Sequence, residues 1–293
     1  MAMTETVSAD TIRRLDSGAL YGKPGLPLYL VETPLCRAVI AVQGAQLLEF
    51  QARGDAPLLW LSPLAEFTAG KAIRGGIPLC LPWFGIPPDA SKPKHGFVRN
   101  RPWQLAGTQV SSQGQVQLVF VYRHQADNLF GADFSCRYKI TLGRELKLAL
   151  ELENLDASAT AFSWAWHSYF AVEDVASVAV RGLEQVEYLD NTRSLARASQ
   201  EGTLTFAGEV DRAFECAPSR QSIQVPGLIT SASSAGCDTV ITWNPGAELA
   251  ATIADIGPHY REFVCVEHGA AFANRWQLAP GEVRSATLTL RRE

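Results

Sequence analysis

The feature that most constrains this chain is a recurrent alternation of apolar and polar residues with a period of two. Such a period indicates half-buried β-strands, because successive strand side chains point to opposite faces of a sheet. Turn-forming residues separate the alternating segments, as at Asp190-Asn191 and Pro280-Gly281. The clearest alternating segments are 115–122, 146–152, 177–183, 221–225, 239–243 and 283–290.

Helical signals are few and short, the best being 9–15 with Ser8 as its N-cap. Many strands without long intervening helices predict an all-β fold, because a βαβ arrangement needs a helix between parallel strands. No linker, composition break or internal repeat divides the 293 residues. We therefore predict one large antiparallel β-sandwich domain over 1–293, with 1–17 as a peripheral N-terminal segment.

Composition narrows the functional classes. The hydrophobic share of 47% and charged share of 19% indicate a folded globular chain. A net charge of -4 gives no reason to expect nucleic-acid binding. We find no apolar run of the ~18 residues that a membrane span needs and no signal-peptide core in 1–17. We therefore expect a cytoplasmic protein without nucleic-acid or membrane partners, and a monomer by default.

Cysteine and motif spacing argue against a metal or cofactor site. The six cysteines are widely spread, which predicts free buried thiols and no zinc ribbon or redox pair. His259 and His268 have no nearby set of thiol partners, so we predict no metal centre. The sequence also has no phosphate-binding P-loop, no G-x-S-x-G elbow and no cofactor fingerprint.

Two segments combine cations with glycines. At 73–85, Arg74 precedes paired glycines, which would let the backbone approach a ligand while the guanidinium binds an anion. In the segment 94–101, strand geometry would place His95 and Arg99 on one face, with Lys94 directly before them. Cations concentrated in an acidic protein suggest an oxyanion site. The competing interpretations are a buried Arg–carboxylate turn and a solvated basic edge.

The segment F-S-W-A-W-H-S-Y-F at 162–170 places His167 opposite a heavy aromatic face. Such a histidine is either a satisfied core residue or a catalytic group in an aromatic cleft.

The segment at 263–269 is an apolar strand that ends in a carboxylate. Glu267 shares a face with Phe263 and Cys265. A buried carboxylate is costly unless it is paired, and desolvation would raise its pKa toward the range of a general base. The alternative is a strand-end glutamate in water. Asp211, in the charged segment 209–212, is by itself no more than a residue of a solvated turn.

Taken together, these segments resemble the hexose-phosphate mutarotases, the glucose-6-phosphate 1-epimerase branch of the aldose 1-epimerase family. The resemblance spans roughly 25–290 and implies a galactose-mutarotase-type antiparallel sandwich. The matching motifs occur in family order: R-G-G-I-P-L-C-L-P-W-F-G at 74–85, H-G-F-V-R at 95–99, W-H-S-Y-F at 166–170, V-D-R at 210–212, W-N-P-G at 243–246, V-C-V-E at 264–267 and L-A-P-G-E at 278–282.

The resemblance also implies residue roles. His167 matches the catalytic histidine and Glu267 the catalytic carboxylate. Lys94 stands where relatives often have glutamine, although a cation there also suits a phosphate. The implied substrate-binding positions are Arg74, Lys94, His95, Arg99 and Asp211.

The implied reaction interconverts the α and β anomers of a hexose 6-phosphate, most simply glucose 6-phosphate, without a cofactor. Glu267 would take the proton of the anomeric hydroxyl while protonated His167 protonates the ring oxygen. The open aldehyde then rotates about C1–C2 and closes on its other face. Three alternatives remain: an epimerase of unphosphorylated aldoses, a glycoside hydrolase using Glu267 with Asp211, and a non-catalytic sugar-binding sandwich.

Overall fold

The computed structural model describes residues 11–87, 89 and 91–293. Strands dominate this part of the chain. The first twelve are β1 (Ile12–Asp16), β2 (Pro27–Glu32), β3 (Cys36–Ala41), β4 (Leu47–Ala52), β5 (Leu79–Cys80), β6 (Gln104–Val110), β7 (Val116–His124), β8 (Phe134–Leu142), β9 (Leu146–Asn154), β10 (Thr160–Phe162), β11 (Trp164–Trp166) and β12 (Tyr169–Ala171). The others are β13 (Ala179–Arg181), β14 (Glu187–Asp190), β15 (Ala196–Ser199), β16 (Leu204–Thr205), β17 (Val210–Phe214), β18 (Arg220–Val225), β19 (Leu228–Ala235), β20 (Thr239–Asn244), β21 (Phe263–Ala270), β22 (Trp276–Leu278) and β23 (Val283–Arg292).

Helical segments in the described residues are short. Two are α-helical, α1 (Ser17–Tyr21) and α2 (Gly246–Ala250). The 3-10 segments are Val98–Asn100, Val175–Ser177, Asn191–Arg193, Gly257–Glu262 and Phe272–Asn274. None of the helices in the described part of the chain is long and apolar enough to cross a membrane.

Two large sheets form the body of the fold, and their paired strands are antiparallel. The nine-stranded sheet has the order β16-β13-β18-β19-β23-β9-β8-β7-β6. The eight-stranded sheet has the order β15-β14-β17-β20-β21-β11-β5, and β12 also pairs with β21. A four-stranded meander, β1-β2-β3-β4, and the β10-β22 pair complete the architecture. The predicted antiparallel sandwich is therefore confirmed.

The main core lies between the two large sheets and follows from the period-two pattern. In β9 the leucines at 146, 148, 150 and 152 are buried, whereas Lys147 and Glu151 are exposed. Across the interface, the Tyr138 ring of β8 lies 6.4 Å from the Trp166 ring of β11, between centroids. The other face of the eight-stranded sheet is consequently free to line a cavity.

Three local predictions are wrong or too long. Ser8 and Ala9 lie outside the described residues, but Ile12–Asp16, within the predicted helix, is strand β1 and pairs with β2. The predicted strand 177–183 shortens to β13, because a 3-10 turn capped by Asp174 precedes it.

The segment 94–101 is not a strand either. His95 and Gly96 both have positive φ, at 63° and 70°, and Val98–Asn100 forms a 3-10 turn. This turn brings the Gly96 backbone against Leu81, where a Cβ on Gly96 would lie 2.0 Å from the Leu81 carbonyl oxygen. The packing of Gly96 against Leu81 therefore overrides the period-two reading of this segment.

Candidate active site

A cavity of about 710 Å³ opens on the free face of the eight-stranded sheet. Strand ends and loops that are distant in sequence meet there. All seven residues that the sequence singled out line it: Arg74, Lys94, His95, Arg99, His167, Asp211 and Glu267.

His167 sits in the short break between β11 and β12. Its backbone N–H donates to the Pro78 carbonyl at 3.0 Å. Its ring stacks on Tyr169, with centroids 4.8 Å apart and planes 15° from parallel. His167 is only 6% exposed, and its side chain lines the cavity. The histidine is thus held in place on one face and open to the cavity on another.

Glu267 lies in β21, a central strand whose eight residues are all buried. Strand alternation directs Val264 and Val266 into the main core, and Cys265 and Glu267 to the opposite face. Glu267 is only 1% exposed. The interpretation of Glu267 as a strand-end residue in water is therefore wrong for this structure.

The two side chains are in direct contact, with His167 Nε2 3.3 Å from Glu267 Oε1. His167 Nδ1 and Glu267 Oε2 are buried without a hydrogen-bond partner among the described residues. Burial raises the pKa of Glu267 well above its ordinary value, and the nearby Asp211 carboxylate adds to this. Burial also lowers the pKa of His167 well below its ordinary value, and the cations Arg99 and Arg74 reinforce the effect. Burial of the pair therefore favours a protonated carboxyl beside a neutral imidazole.

Three arginines line the cavity, and they differ in how far their donors are engaged. Arg74 Nε donates to Asp255 Oδ1 at 3.1 Å, and its Nη1 donates to the Tyr169 hydroxyl at 2.8 Å. Arg99 Nη2 donates to the Lys94 carbonyl at 2.9 Å, whereas its buried Nε has no partner among the described residues. Lys94 itself is exposed at the cavity rim. Arg99 and Lys94 are therefore freer to bind an anion than Arg74, and the exposed Arg275 is a further cation of the cavity lining that the sequence prediction did not include.

His95 and Asp211 complete the predicted set. The Gly85 N–H donates to His95 Nδ1 at 3.2 Å, which leaves Nε2 as the protonated nitrogen of the neutral ring. Burial, followed by Arg99, lowers the pKa of His95 well below its ordinary value. Asp211 Oδ2 accepts from Asn191 Nδ2 at 2.6 Å, and burial raises the pKa of this carboxyl. His95 is therefore neutral. Asp211 is a partly buried residue of β17, so the interpretation of this residue as part of a solvated turn is wrong.

The paired glycines at 75 and 76 serve a different purpose from the one that the sequence suggested. A Cβ on Gly75 would lie 2.5 Å from the Trp60 carbonyl oxygen, and one on Gly76 would lie 2.2 Å from that of Leu47. Their φ angles are 110° and 63°. The glycines therefore let two backbone segments pack closely, and the ligand-facing role falls to Arg74.

Sequence reasoning missed several cavity residues. Tyr169 carried a signal, since it lies two positions after His167 and shares its face. Asp255 and Asn191 lie on connections between strands, where no period applies. Trp243 of β20 also lines the cavity, with its ring 5.9 Å from that of His167.

Comparison with known proteins agrees with this geometry. The family model described as Aldose 1-epimerase matches residues 27–291. The chain belongs to the aldose 1-epimerase family. It is accordingly an isomerase, an epimerase whose substrate is a small-molecule sugar.

Individual relatives cover most of the chain. A curated protein of Escherichia coli K12, provisionally named glucose-6-phosphate 1-epimerase, is 32% identical over 259 residues, which are 86% of this chain and 85% of that protein. One of Cenchrus ciliaris with the same provisional name is 32% identical over 261 residues, 84% of this chain and 78% of its own.

A solved structure supports the fold. The crystal structure of a Salmonella typhimurium protein, provisionally termed a mutarotase, superposes with a TM-score of 0.88 at 28% identity. The superposition covers 98% of this chain and 95% of the other. The mutarotase-type sandwich expected from the sequence is thereby confirmed.

Proposed function

We propose that the protein interconverts the α and β anomers of a hexose 6-phosphate, with glucose 6-phosphate as the first candidate. Glu267 is the base on the anomeric hydroxyl and His167 is the acid on the ring oxygen. Arg99, Lys94 and Arg74 bind the phosphate. The observation that carries the proposal is the contact between His167 Nε2 and Glu267 Oε1 on the wall of a cavity that also holds these cations.

The contact suits the reaction because both reacting oxygens are bonded to C1 of the sugar. Opening the ring removes a proton from O1 and adds one to O5, so the base and the acid must reach atoms that are only two bonds apart. A pair of side chains separated by 3.3 Å meets this requirement. Two carboxylates placed across a glycosidic bond, as in hydrolases, require at least ~5 Å between them.

The proton balance of the pair closes within the site. The active form before opening has a Glu267 carboxylate and a His167 imidazolium. After opening, Glu267 holds the O1 proton and His167 has given its proton to O5, so the pair is a carboxylic acid beside a neutral imidazole. Closure on the other face of the aldehyde reverses both transfers: Glu267 gives its proton to O1 and His167 takes the proton of O5, which regenerates the first form. In the absence of sugar, moving one proton across the His167–Glu267 contact interconverts the two forms. The neutral form favoured by burial and the ion pair required by the sugar therefore contain the same number of protons.

The phosphate accounts for the cations. It carries about -1.5 to -2 charges at pH 7 and bonds well to guanidinium groups. Arg99 Nε has no partner among the residues that the structure describes, and Lys94 is exposed beside it. Asp211, held by Asn191, is a candidate acceptor for a sugar hydroxyl, and the neutral His95 Nε2–H is a candidate donor.

A second candidate is an epimerase of unphosphorylated aldoses with the same acid and base. The observation that favours it is the engagement of Arg74 with Asp255 and Tyr169, which leaves one fewer free cation for a phosphate. The provisional names of the Escherichia coli and Cenchrus ciliaris relatives favour the phosphorylated substrate.

Saturation-exchange NMR separates the two candidates. The exchange rate between α and β anomers is measured for glucose 6-phosphate and for glucose at equal enzyme, after subtraction of the uncatalysed rates. We expect the phosphate ester to exchange faster by about tenfold or more, the effect of one charge-assisted hydrogen bond. Equal acceleration of both sugars would assign the protein to free aldoses. Acceleration of neither would refute both assignments.

A further inference from the structure

A second chemistry is present beside the proposed acid–base pair. His167, Cys265 and Glu267 each present one metal-binding atom, and these atoms all lie within 4.8 Å of one another. Cys265 is not part of the proposed reaction. It lies two residues before Glu267 on the same face of β21, so the strand period itself places the thiol next to the carboxylate.

The three donors are buried and have spare capacity. Cys265 is fully buried, and His167 and Glu267 are more than nine-tenths buried. Glu267 Oε2 and His167 Nδ1 have no hydrogen-bond partner among the described residues. The carboxylate oxygen Oε1 and imidazole Nε2 already lie 3.3 Å apart. Donors of a tetrahedral Zn²⁺ site with ordinary bond lengths are separated by about 3.3–3.7 Å. A movement of about 1 Å by the thiol is enough to complete the set.

The donor types select the cation. A thiolate, an imidazole and a carboxylate suit Zn²⁺, Co²⁺ or Cd²⁺, whereas Mg²⁺ and Ca²⁺ prefer sets made of oxygen alone. Three protein ligands with a fourth position facing a cavity are the usual arrangement of an open zinc site. The cavity of about 710 Å³ provides both the path and the room for a water at that position.

We propose that His167, Cys265 and Glu267 form a site for a thiophilic divalent cation such as Zn²⁺, and that the bound cation reversibly blocks the epimerase. Binding removes the thiol proton and, where present, the carboxyl proton, and both go to solvent. The cluster of Zn²⁺, thiolate, carboxylate and neutral imidazole then has no net charge. Its cost of burial is therefore much lower than that of a free cation.

Other charges around the cavity affect the strength of this site. The cavity-lining cations repel a bound metal ion, namely Arg74, Lys94, Arg99 and Arg275, while Asp211 and Asp255 attract it. A phosphate ester in the cavity would occupy the same space as the fourth metal ligand. Substrate and cation are therefore expected to compete. The inhibition rests on the proposed function, whereas the metal binding does not.

Titration with Co²⁺ tests the binding directly, because a cobalt–thiolate bond gives an intense near-ultraviolet charge-transfer band. The starting protein is Cys216→Ser, since Cys216 is an exposed free cysteine. We expect the charge-transfer band, together with the visible bands of tetrahedral Co²⁺, and its loss on addition of Zn²⁺. Absence of the band would overturn the proposal.

Two further variants identify the ligands. Cys265→Ala should abolish the band, and Cys136→Ala, which removes a buried thiol of the nine-stranded sheet, should retain it. If Cys265→Ala does not fold, Glu267→Gln provides the alternative, because loss of a ligand should weaken Co²⁺ binding by at least about 10–100-fold. A band that survives in folded Cys265→Ala, or unchanged affinity in Glu267→Gln, would overturn the assignment.

The activity arm uses Zn²⁺ with the same proteins. Anomer exchange should fall in proportion to the fraction of protein with bound metal and return on addition of EDTA. Each variant is compared with its own metal-free rate. Inhibition that persists in Cys265→Ala would contradict the proposed mode of blocking. A protein that binds Co²⁺ as described but exchanges no sugar would refute the proposed function and leave the metal site intact.

Discussion

The aromatic ring of Tyr169 packs flat against the imidazole of His167, and its hydroxyl accepts a hydrogen bond from Arg74 Nη1 at 2.8 Å. One side chain thus connects a cation of the proposed phosphate site with the proposed general acid. The two connections can be removed separately.

Replacement of Tyr169 by Phe keeps the ring and removes the hydrogen bond to Arg74. We expect KM for glucose 6-phosphate to rise by up to about tenfold, with kcat nearly unchanged. Tyr169→Leu also removes the stacking surface of His167, so kcat should fall in addition. Steady-state exchange kinetics separate the two. Identical kinetic changes in the Phe and Leu variants would contradict distinct roles for the hydroxyl and the ring.

Arg99 provides the sharpest test of phosphate recognition, because its Nε has no protein partner in the described structure. Arg99→Gln should lower kcat/KM for glucose 6-phosphate by about 10–100-fold, the effect of charge-assisted hydrogen bonds. Activity on glucose should change little. Arg101→Gln, at an exposed cation of the same segment outside the cavity, is the matched control. Equal losses on both sugars in Arg99→Gln would refute a phosphate-specific role.

His268 links stability to pH. Burial lowers the pKa of this histidine to about 4, and its Nε2 lies 2.9 Å from Gln221 Oε1. The unfolded chain takes up a proton near pH 6.5 and the folded chain does not, so this stabilisation is present above pH 6.5 and is lost as the pH falls toward 4. For this one histidine, the free energy of unfolding should drop by about 2 kcal/mol from pH 7 to pH 5.

Urea unfolding at the two pH values measures this term. The drop should be smaller by about 2 kcal/mol in His268→Gln. His259→Gln, at a partly exposed histidine, is the matched control for the loss of an imidazole. A His268→Gln protein with the full wild-type drop would show that other groups account for the pH dependence.

Gly269 sets the distance between β21, which carries Glu267, and β11, which ends just before His167. It faces Ala165 across the β21–β11 pair, and a Cβ there would lie 2.0 Å from the Trp164 carbonyl oxygen. Gly269→Ala should therefore destabilise the protein by about 1–3 kcal/mol or more and lower activity. Gly208→Ala, where a Cβ meets nothing within 4 Å, should change stability by no more than about 0.5 kcal/mol. Equal unfolding midpoints for the two variants would contradict this packing account.

The sequence predicted best where side-chain period and packing agree. The leucines of β9 have one buried face, and the period alone identifies the strand. The same period placed Cys265 and Glu267 on one face of β21, as the structure has them. It failed at His95, because a left-handed turn against Leu81 is determined by a contact that is distant in sequence.

The candidate site could be predicted only where its residues belong to recognisable motifs. The seven residues that the motif resemblance identified all line one cavity. Asp255 could not be predicted, since its contact with Arg74 spans 181 residues and joins two irregular connections. Nor could the contact between His167 and Glu267 be derived from the period, which describes single strands and not their arrangement in a sheet.

The central claim is that His167 and Glu267 together transfer the two protons of ring opening. The most direct test is anomer exchange of glucose 6-phosphate by saturation-exchange NMR in the wild type, His167→Asn and Glu267→Gln, with folding checked by near-ultraviolet circular dichroism. We expect each folded variant to lose about 10²–10⁴-fold of the enzyme-catalysed rate, the usual contribution of a general acid or base. A folded variant whose rate stays within about tenfold of the wild type would contradict the claim.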